Sequence, residues 1–269
     1  MSASIPNAAA TEAPAVLTVN TGGVLRLTLN RPQQYNALSE EMLAALRTAL
    51  AAAADDASVR VVVLAAAGRA FCAGHDLRQI QENPRRDYYQ WLFAECARMV
   101  GQIRNLPQPV IARVQGVATA GGCQLVAACD LAVAADTARF AVSGINIGLF
   151  CATPAVPLSR NMGQKQAFEM LVTGEFIDAA TARERGLVNR VAAADALDAQ
   201  IDELAHAILS KPADIVAAGK ALFYRQQEMG TTAAYQLAVQ AMADNVMSPV
   251  AQEGISAFLG KRPPNWISG

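Results

Sequence analysis

The sequence predicts an α/β fold in which a mainly parallel sheet, covered by helices, is followed by a helical C-terminal region. Three observations lead to this prediction. Segments of strand-like composition alternate with segments of helical periodicity, which implies crossover connections between parallel strands. Residues 61–64 read Val-Val-Val-Leu, a continuous apolar run typical of a strand that is covered on both faces. From about Asp195 onward the pattern is almost purely helical.

The first predicted elements are a hairpin and a capped helix. Residues 16–19 and 25–29 alternate apolar and polar side chains around a Thr-Gly-Gly turn, which is typical of a β-hairpin. Ser39 is expected to cap the next helix, because two glutamates follow it at the positive end of the helix dipole and leucines then recur at helical spacing. The remaining predicted elements are a strand at 60–64, a glycine-containing loop at 68–76, a helix around 86–103, a strand at 110–114, a helix from about 121 and a strand at 131–134.

The composition bounds the class of protein. Of the 269 residues, 53% are hydrophobic and 17% charged, which supplies a buried core and excludes a disordered chain. Lys and Arg number 22 against 23 Asp and Glu, a net charge of −1, so a nucleic-acid partner is not expected. No apolar stretch approaches the ~18 residues of a membrane span. The order of the predicted elements divides the chain into a flexible lead-in at 1–14, a core at 15–205 and a helical region at 206–269.

The cysteines and the N-terminus predict the compartment. The five cysteines form no C-x-x-C pair and only two histidines are present, so neither a zinc site nor a disulfide framework is expected. Residues 1–14 contain no Lys or Arg and fit neither a signal peptide nor a transit peptide. Free thiols suit a reducing compartment, and we expect a cytoplasmic protein.

Two loops are candidates for chemistry, residues 70–77 and residues 115–124. Their glycines would let the backbone approach a ligand closely, and a helix that begins near Gly121 would direct unpaired N–H groups outward. Two such groups on one carbonyl oxygen would form an oxyanion hole and stabilise an enolate or a tetrahedral intermediate. The alternative is that both loops are ordinary turns whose glycines serve packing.

Short motifs follow one another along most of the chain: LNRP at 29–32, NAL at 36–38, AFCAGHDL at 70–77, AGGC at 120–123, CD at 129–130, FA at 140–141, GL at 148–149, GLVN at 186–189 and KRP at 261–263. In this order they resemble the crotonase (enoyl-CoA hydratase/isomerase) family. The resemblance implies a crotonase-type spiral of ββα units, followed by a helical region that forms a homotrimer or a dimer of trimers. It also implies an acyl-CoA ligand, with coenzyme A as part of the substrate and no tightly bound cofactor.

The resemblance assigns roles by position. The backbone N–H groups of His75 and Gly121 would form the oxyanion hole. The pantetheine and adenine of CoA would lie along residues 70–77. A lysine near the C-terminus would contact the CoA phosphates, of its own subunit's ligand or of a neighbouring subunit's. The implied CoA contacts are Phe71, Ala73, Asp76, Leu77 and Lys261.

The two catalytic glutamates of the family's hydratases are missing, because Gln124 and Gly144 occupy their positions. Hydration needs a carboxylate that takes a proton from water and an acid that protonates the α-carbon, and neither residue can do this. True hydratase activity is therefore not expected. Two alternatives stay open: a non-catalytic acyl-CoA-binding or scaffold protein, and a different reaction of the same fold, such as decarboxylation, that uses His75.

Other polar residues near the two loops have plain structural interpretations. Asp76 and Asp130 lie at the ends of elements and are expected to be turn or cap carboxylates. Three cysteines near the predicted pocket, Cys72, Cys123 and Cys151, have no base beside them in sequence. The aromatic residues at 88–93 are expected to cover the acyl pocket or the core, and Glu95 or Glu175 would be able to approach the acyl chain.

Overall fold

The computed structural model describes residues 13–267, so the lead-in expected at 1–14 lies almost entirely outside the described residues. The strands, in chain order, are β1 (Val16–Thr21), β2 (Val24–Leu29), β3 (Val61–Ala66), β4 (Ala70–Cys72), β5 (Val110–Val114), β6 (Val117–Thr119), β7 (Leu131–Ala135), β8 (Arg139–Ala141), β9 (Ile177–Asp178) and β10 (Arg190–Ala192). The helices are α1 (Glu40–Asp55), α2 (Leu77–Glu82), α3 (Arg86–Asn105), α4 (Gly121–Ala128), α5 (Ala152–Asn161), α6 (Gln164–Thr173), α7 (Ala179–Glu184), α8 (Leu197–Leu209), α9 (Ala213–Gln226), α10 (Thr231–Met247) and α11 (Pro249–Leu259). Helices and largely parallel strands confirm the α/β class.

The larger sheet has the order β1-β2-β3-β5-β7-β10. Strands β1 and β2 form the predicted antiparallel hairpin, with Val16 opposite Leu29. The other neighbours in this sheet run parallel. Every residue of β3 is buried, which confirms a strand that is covered on both faces.

The smaller sheet has the order β4-β6-β8-β9, and its strands β4 and β6 lie in segments that the sequence pattern assigns to loops. Its strands have only two or three residues, too few for an alternating pattern to be visible. In the spiral, β3, β5 and β7 are each followed by a short strand of the smaller sheet and then by a helix. This repetition is the ββα arrangement that the family resemblance implies.

Helix α1 begins as the sequence predicts. Ser39 Oγ accepts a hydrogen bond from the backbone N–H of Met42 at 3.1 Å, and Glu40 and Glu41 occupy the first turn. The leucines at helical spacing all lie in the core: Leu43, Leu46 and Leu50. The cap and the apolar face therefore act together to place α1 against the sheet.

Helix α8 covers the second face of the larger sheet. Its buried residues Leu197, Ile201 and Ala205 pack in one cluster with Val61 and Val63 of β3. The domain boundary expected near residue 205 falls inside this helix and stays a prediction. No helix within residues 13–267 is both long and apolar enough to cross a bilayer.

Asp130 anchors helix α9 to the core. Its Oδ2 accepts hydrogen bonds from Nζ of Lys220 at 2.7 Å and from the N–H of Val110 at 2.6 Å, and its Oδ1 accepts one from the Tyr224 hydroxyl at 2.7 Å. The side chains of Lys220 and Asp130 are 7% and 12% exposed. Asp130 is therefore more than the turn carboxylate expected from its place after α4, because it also pairs with a distant helix.

Candidate active site

The two candidate loops meet at Gly74 and Gly121. A Cβ atom added to Gly121 would lie 3.3 Å from Cα of Gly74 and 3.6 Å from Cδ2 of His75. The first loop is held in place by Leu38, whose N–H donates to the carbonyl oxygen of Gly74 at 2.8 Å and which forms a short parallel bridge with His75. The structure thus brings the predicted residues His75 and Gly121 together.

Ala120 sets the direction of the first turn of α4. It has φ 50° and ψ −117°, a backbone conformation that is strained for a residue with a Cβ atom. Its N–H donates to the carbonyl oxygen of Ala141 at 3.0 Å. Within residues 13–267, the N–H groups of His75 and Gly121 donate to no protein acceptor. Two free donors therefore lie on adjoining backbone segments.

Gly122 allows α4 to begin directly on strand β4. A Cβ atom at this position would lie only 2.0 Å from the carbonyl oxygen of Cys72. No other residue type fits there without moving the backbone. This close approach fixes the start of α4 relative to the 70–77 loop.

The residue His75 is partly exposed, but its ring nitrogens are buried and the ring is neutral near physiological pH. It packs edge-on against Phe93 of α3, with the ring centroids 5.2 Å apart. Among the described residues neither ring nitrogen has a partner in good hydrogen-bond geometry, although the Leu38 backbone lies close enough to act on the ring. Burial lowers the pKa of His75 to about 4, and the Leu38 backbone counteracts this effect only in part.

Gln124 lies one turn after Gly121 on α4 and is 3% exposed. Its Oε1 receives a long contact of 4.0 Å from Sγ of Cys96, and the described residues give its side chain no other hydrogen bond. An amide does not exchange protons near neutral pH. The position that carries a glutamate in the family's hydratases is therefore buried and uncharged in this chain.

Gly144 lies in a 3-10 helix, Ser143–Ile147, that leaves no room for a side chain. A Cβ atom at Gly144 would lie 2.7 Å from Sγ of Cys151 and 2.7 Å from the carbonyl oxygen of Leu149. Leu149 also donates its N–H to the Gly144 carbonyl at 2.9 Å. The second glutamate position is therefore closed by backbone as well as empty of a side chain.

The thiols near the site are protonated. Burial raises the pKa of Cys72 and of Cys123 to about 12, and it also raises the pKa of Cys151. A thiol is a weak nucleophile until it loses its proton. This agrees with the structural interpretation of these cysteines.

The five predicted CoA contacts differ in whether their side chains are exposed to a ligand. Phe71 is fully buried in the core, so only its backbone can face a ligand. The N–H of Ala73 donates to the carbonyl of Tyr35 at 3.0 Å, and Asp76 caps α2 by accepting from the N–H of Arg78 at 2.9 Å. The two remaining contacts are exposed: Leu77 at the start of α2 and Lys261 just beyond α11.

Helix α3 contributes two residues to the site, at helical i, i+3 spacing. Phe93, one of the aromatic residues at 88–93 that are expected to cover the acyl pocket or the core, contacts His75. Cys96, which contacts Gln124, has no clear signal in the sequence. Glu95, a candidate for the acyl chain, instead forms ion pairs with Arg47 and Arg98. Glu175, the other candidate, is exposed.

The chain is similar to known proteins over nearly its whole length. Residues 20–269 match the family described as "Enoyl-CoA hydratase/isomerase". The chain is 45% identical over 246 residues to "Enoyl-CoA hydratase domain-containing protein 3, mitochondrial" from Homo sapiens, covering 91% of this chain and 80% of that protein. The Xenopus laevis protein of the same name is 43% identical over 244 residues, 91% of this chain and 83% of that protein. The crystal structure of an enoyl-CoA hydratase from Mycobacterium smegmatis has 60% identity and a TM-score of 0.92, covering 94% of this chain and 99% of that one.

These names contradict the expected cytoplasmic location. The human, mouse and Xenopus laevis relatives are all named as mitochondrial proteins. The expectation is wrong because reduced cysteines indicate a reducing environment and do not identify one compartment. The composition of residues 1–14 does not identify one either.

The family matches this chain over residues 20–269. The spiral of ββα units and the sequence identity to the Mycobacterium smegmatis protein agree with that match. The chain therefore belongs to the enoyl-CoA hydratase/isomerase family and has the crotonase fold.

Proposed function

We propose that this protein binds acyl-CoA thioesters and stabilises the enolate of the thioester with the backbone N–H groups of His75 and Gly121. The observation that carries the proposal is the contact between the Gly74–His75 backbone and Gly121, where two N–H groups have no protein acceptor within the described residues. Fixed donors of this kind stabilise the negative charge that develops on a thioester oxygen. The family that the chain belongs to supports the ligand class.

The same site does not support hydration by two carboxylates. Gln124 and Gly144 offer no titratable group, the neighbouring thiols are protonated, and His75 is neutral. A site of this composition would stabilise charge without a strong base. The absence of a carboxylate at positions 124 and 144 favours the binding or scaffold role as the first alternative.

Decarboxylation is the second alternative, because it needs no base. In that reaction the bond between the α-carbon and the carboxylate breaks and carbon dioxide leaves. The electron pair enters the enolate that the two N–H groups would hold, and a water molecule from solvent then protonates the α-carbon and leaves as hydroxide, which the released carbon dioxide takes up as bicarbonate. The free N–H pair at His75 and Gly121 is the observation that favours it.

We further propose that the chain assembles as a homotrimer or a dimer of trimers. The last two helices present large apolar side chains to solvent, including Tyr235 and Val239 on α10 and Phe258 and Leu259 on α11. Phe258 is 83% exposed, and large apolar side chains that are this exposed commonly mark a surface that binds another protein. In such an assembly Lys261, which follows these helices, would contact CoA phosphates.

The test is calorimetric titration of the full chain with acetyl-CoA and crotonyl-CoA, with turnover of an acyl-CoA panel measured in parallel. We expect binding at micromolar ligand. Binding without turnover supports the scaffold role, and release of carbon dioxide from a malonyl thioester supports decarboxylation. Absence of binding at about 1 mM ligand would contradict the proposal.

A further inference from the structure

A fully buried asparagine lies behind the 70–77 loop. Asn36 has no exposed surface, and both the nitrogen and the oxygen of its side-chain amide have protein partners. Its Nδ2 donates to the carbonyl oxygens of Ala67 at 2.9 Å and Ala70 at 3.0 Å. Its Oδ1 accepts a hydrogen bond from the N–H of Arg31 at 2.9 Å. One amide therefore joins the segment that follows β2 to both ends of the turn between β3 and β4.

The residues on either side of Asn36 extend this link along the loop. The carbonyl oxygen of Tyr35 accepts a hydrogen bond from the N–H of Ala73 at 3.0 Å. The N–H of Leu38 donates to the carbonyl oxygen of Gly74 at 2.8 Å. The segment 35–38 thus holds the loop at its backbone from Ala70 to Gly74, directly before the N–H group that the proposed function uses.

Leu38 contacts the backbone of both proposed donors. It forms the short parallel bridge with His75, and its Cδ1 would lie 3.1 Å from a Cβ atom placed on Gly121. A Cβ atom on Gly74 would in turn lie 3.0 Å from the backbone nitrogen of Gly121. The position of the segment 35–38 therefore bears on the distance and the angle between the two N–H groups.

The backbone of this segment is held in a sparsely populated conformation. Tyr35 has φ 51° and Asn36 has φ 53°, two consecutive residues in the left-handed region. Asparagine tolerates this region better than most residues that have a Cβ atom, but tyrosine does not share that preference. Such a conformation persists only where the surroundings fix it. The three hydrogen bonds of the Asn36 amide supply that fixation.

We propose that Asn36 is a positioning residue of the oxyanion hole, whose amide fixes the N–H of His75 relative to the N–H of Gly121. The inference rests on the proposed function and adds to it a residue that the ligand does not touch. Because Asn36 is fully buried, it acts only through the backbone that it holds. Hydrogen bonds weaken steeply as their angle departs from linear, and a misplacement of about 1 Å can cost about 10²-fold in rate.

Two variants remove the donors of the amide in different ways. Asn36→Asp keeps the shape of the side chain and its acceptor for the N–H of Arg31, but it places a carboxylate against the two carbonyl oxygens. Asn36→Gly removes the whole side chain and still permits the left-handed backbone. The glycine variant therefore keeps the test available if a buried carboxylate prevents folding. Thermal unfolding of each variant checks that the protein is folded.

The readout is the carbonyl stretching frequency of saturating acetyl-CoA labelled with ¹³C at the thioester carbon. In the wild type, binding should lower this frequency, because two hydrogen bonds polarise the carbonyl. We expect each folded Asn36 variant to lose about half of that shift or more, since one donor is no longer aligned. A purely structural role of Asn36 would lower the unfolding temperature and leave the shift of the folded, ligand-bound protein unchanged.

The matched control is Gln108→Met, at a buried glutamine outside both loops whose amide donates to the carbonyl oxygen of Ala53 at 2.8 Å. It should keep the wild-type shift even where it lowers the unfolding temperature. A wild-type shift in the folded Asn36 variants, or an equal loss in the control, would overturn the inference and leave the proposed function intact. A bound wild-type carbonyl at the frequency of the free ligand would refute the proposed function, and the inference with it.

Discussion

A Cβ atom placed on Gly121 would lie 3.6 Å from Cδ2 of His75, so the first turn of α4 rests against the loop that follows β4. This contact aligns two chain segments that are far apart in sequence.

Introducing glutamates at both positions where the family's hydratases have them should not restore hydration. In Gln124→Glu with Gly144→Glu, the new side chain at 144 would meet the Leu149 carbonyl oxygen and the Cys151 sulfur at 2.7 Å. The Cys151 side chain can be shortened by substitution, but the Leu149 carbonyl belongs to the backbone and stays in place. We expect crotonyl-CoA hydration, followed by loss of the enoyl thioester absorbance, to stay slow in the wild type and in the double variant. Rapid wild-type hydration would mean that another residue supplies the base.

Breaking the ion pair between Lys220 and Asp130 should loosen the C-terminal helices. Lys220→Met leaves a nearly buried carboxylate without its counter-charge, and we expect a loss of about 3 kcal/mol in the free energy of unfolding. Adding Asp130→Asn should recover part of that loss. The measurement is urea denaturation of the full chain. A loss below about 1 kcal/mol would show that the pair contributes little.

Acid should destabilise the fold through His75. The pKa of His75 falls from 6.5 to about 4 on folding, so between these pH values the unfolded chain binds a proton that the folded chain does not. Stability from this residue is fully present above pH 6.5 and is lost as the pH falls toward 4. The total loss is on the order of 3 kcal/mol.

The check is the pH dependence of unfolding free energy in the wild type and in His75→Phe. The slope between pH 6.5 and 4 should be shallower in the variant. His206→Gln, at an exposed position on α8, is the matched control and should keep the wild-type slope. Equal slopes in all three proteins would contradict the burial of a neutral imidazole.

The sequence predicts those parts of the fold whose signal is local. The β1–β2 hairpin, the Ser39 cap and the buried strand β3 each follow from periodicity or composition within about ten residues. Strands β4 and β6 do not, because three residues show no period. The partnership of Asp130 with Lys220 joins residues 90 apart and has no local signal.

The candidate site divides in the same way. The glycines of the two loops and the missing glutamates can be identified in the sequence by the family resemblance. The closure of position 144 by the Leu149 carbonyl depends on how distant segments pack. So do the contacts of His75 with Phe93 and of Gln124 with Cys96.

The central claim is that the N–H groups of His75 and Gly121 hold the thioester carbonyl. Gly121→Pro removes the N–H donor of this residue. Gly121→Ala adds a Cβ atom but keeps the N–H donor, so comparing the two variants separates the loss of the hydrogen bond from the effect of added bulk. Turnover of any substrate found on the panel should fall about 10²–10³-fold in the proline variant and much less in the alanine variant. Thermal unfolding of both variants checks that the fold persists.

The most direct measurement is the carbonyl stretching frequency of acetyl-CoA labelled with ¹³C at the thioester carbon, recorded free and bound. Two hydrogen bonds polarise the carbonyl and weaken its bond. The account predicts a shift to lower frequency on binding to the wild type and to Gly121→Ala, and a smaller shift with Gly121→Pro. A bound wild-type carbonyl at the frequency of the free ligand would contradict it.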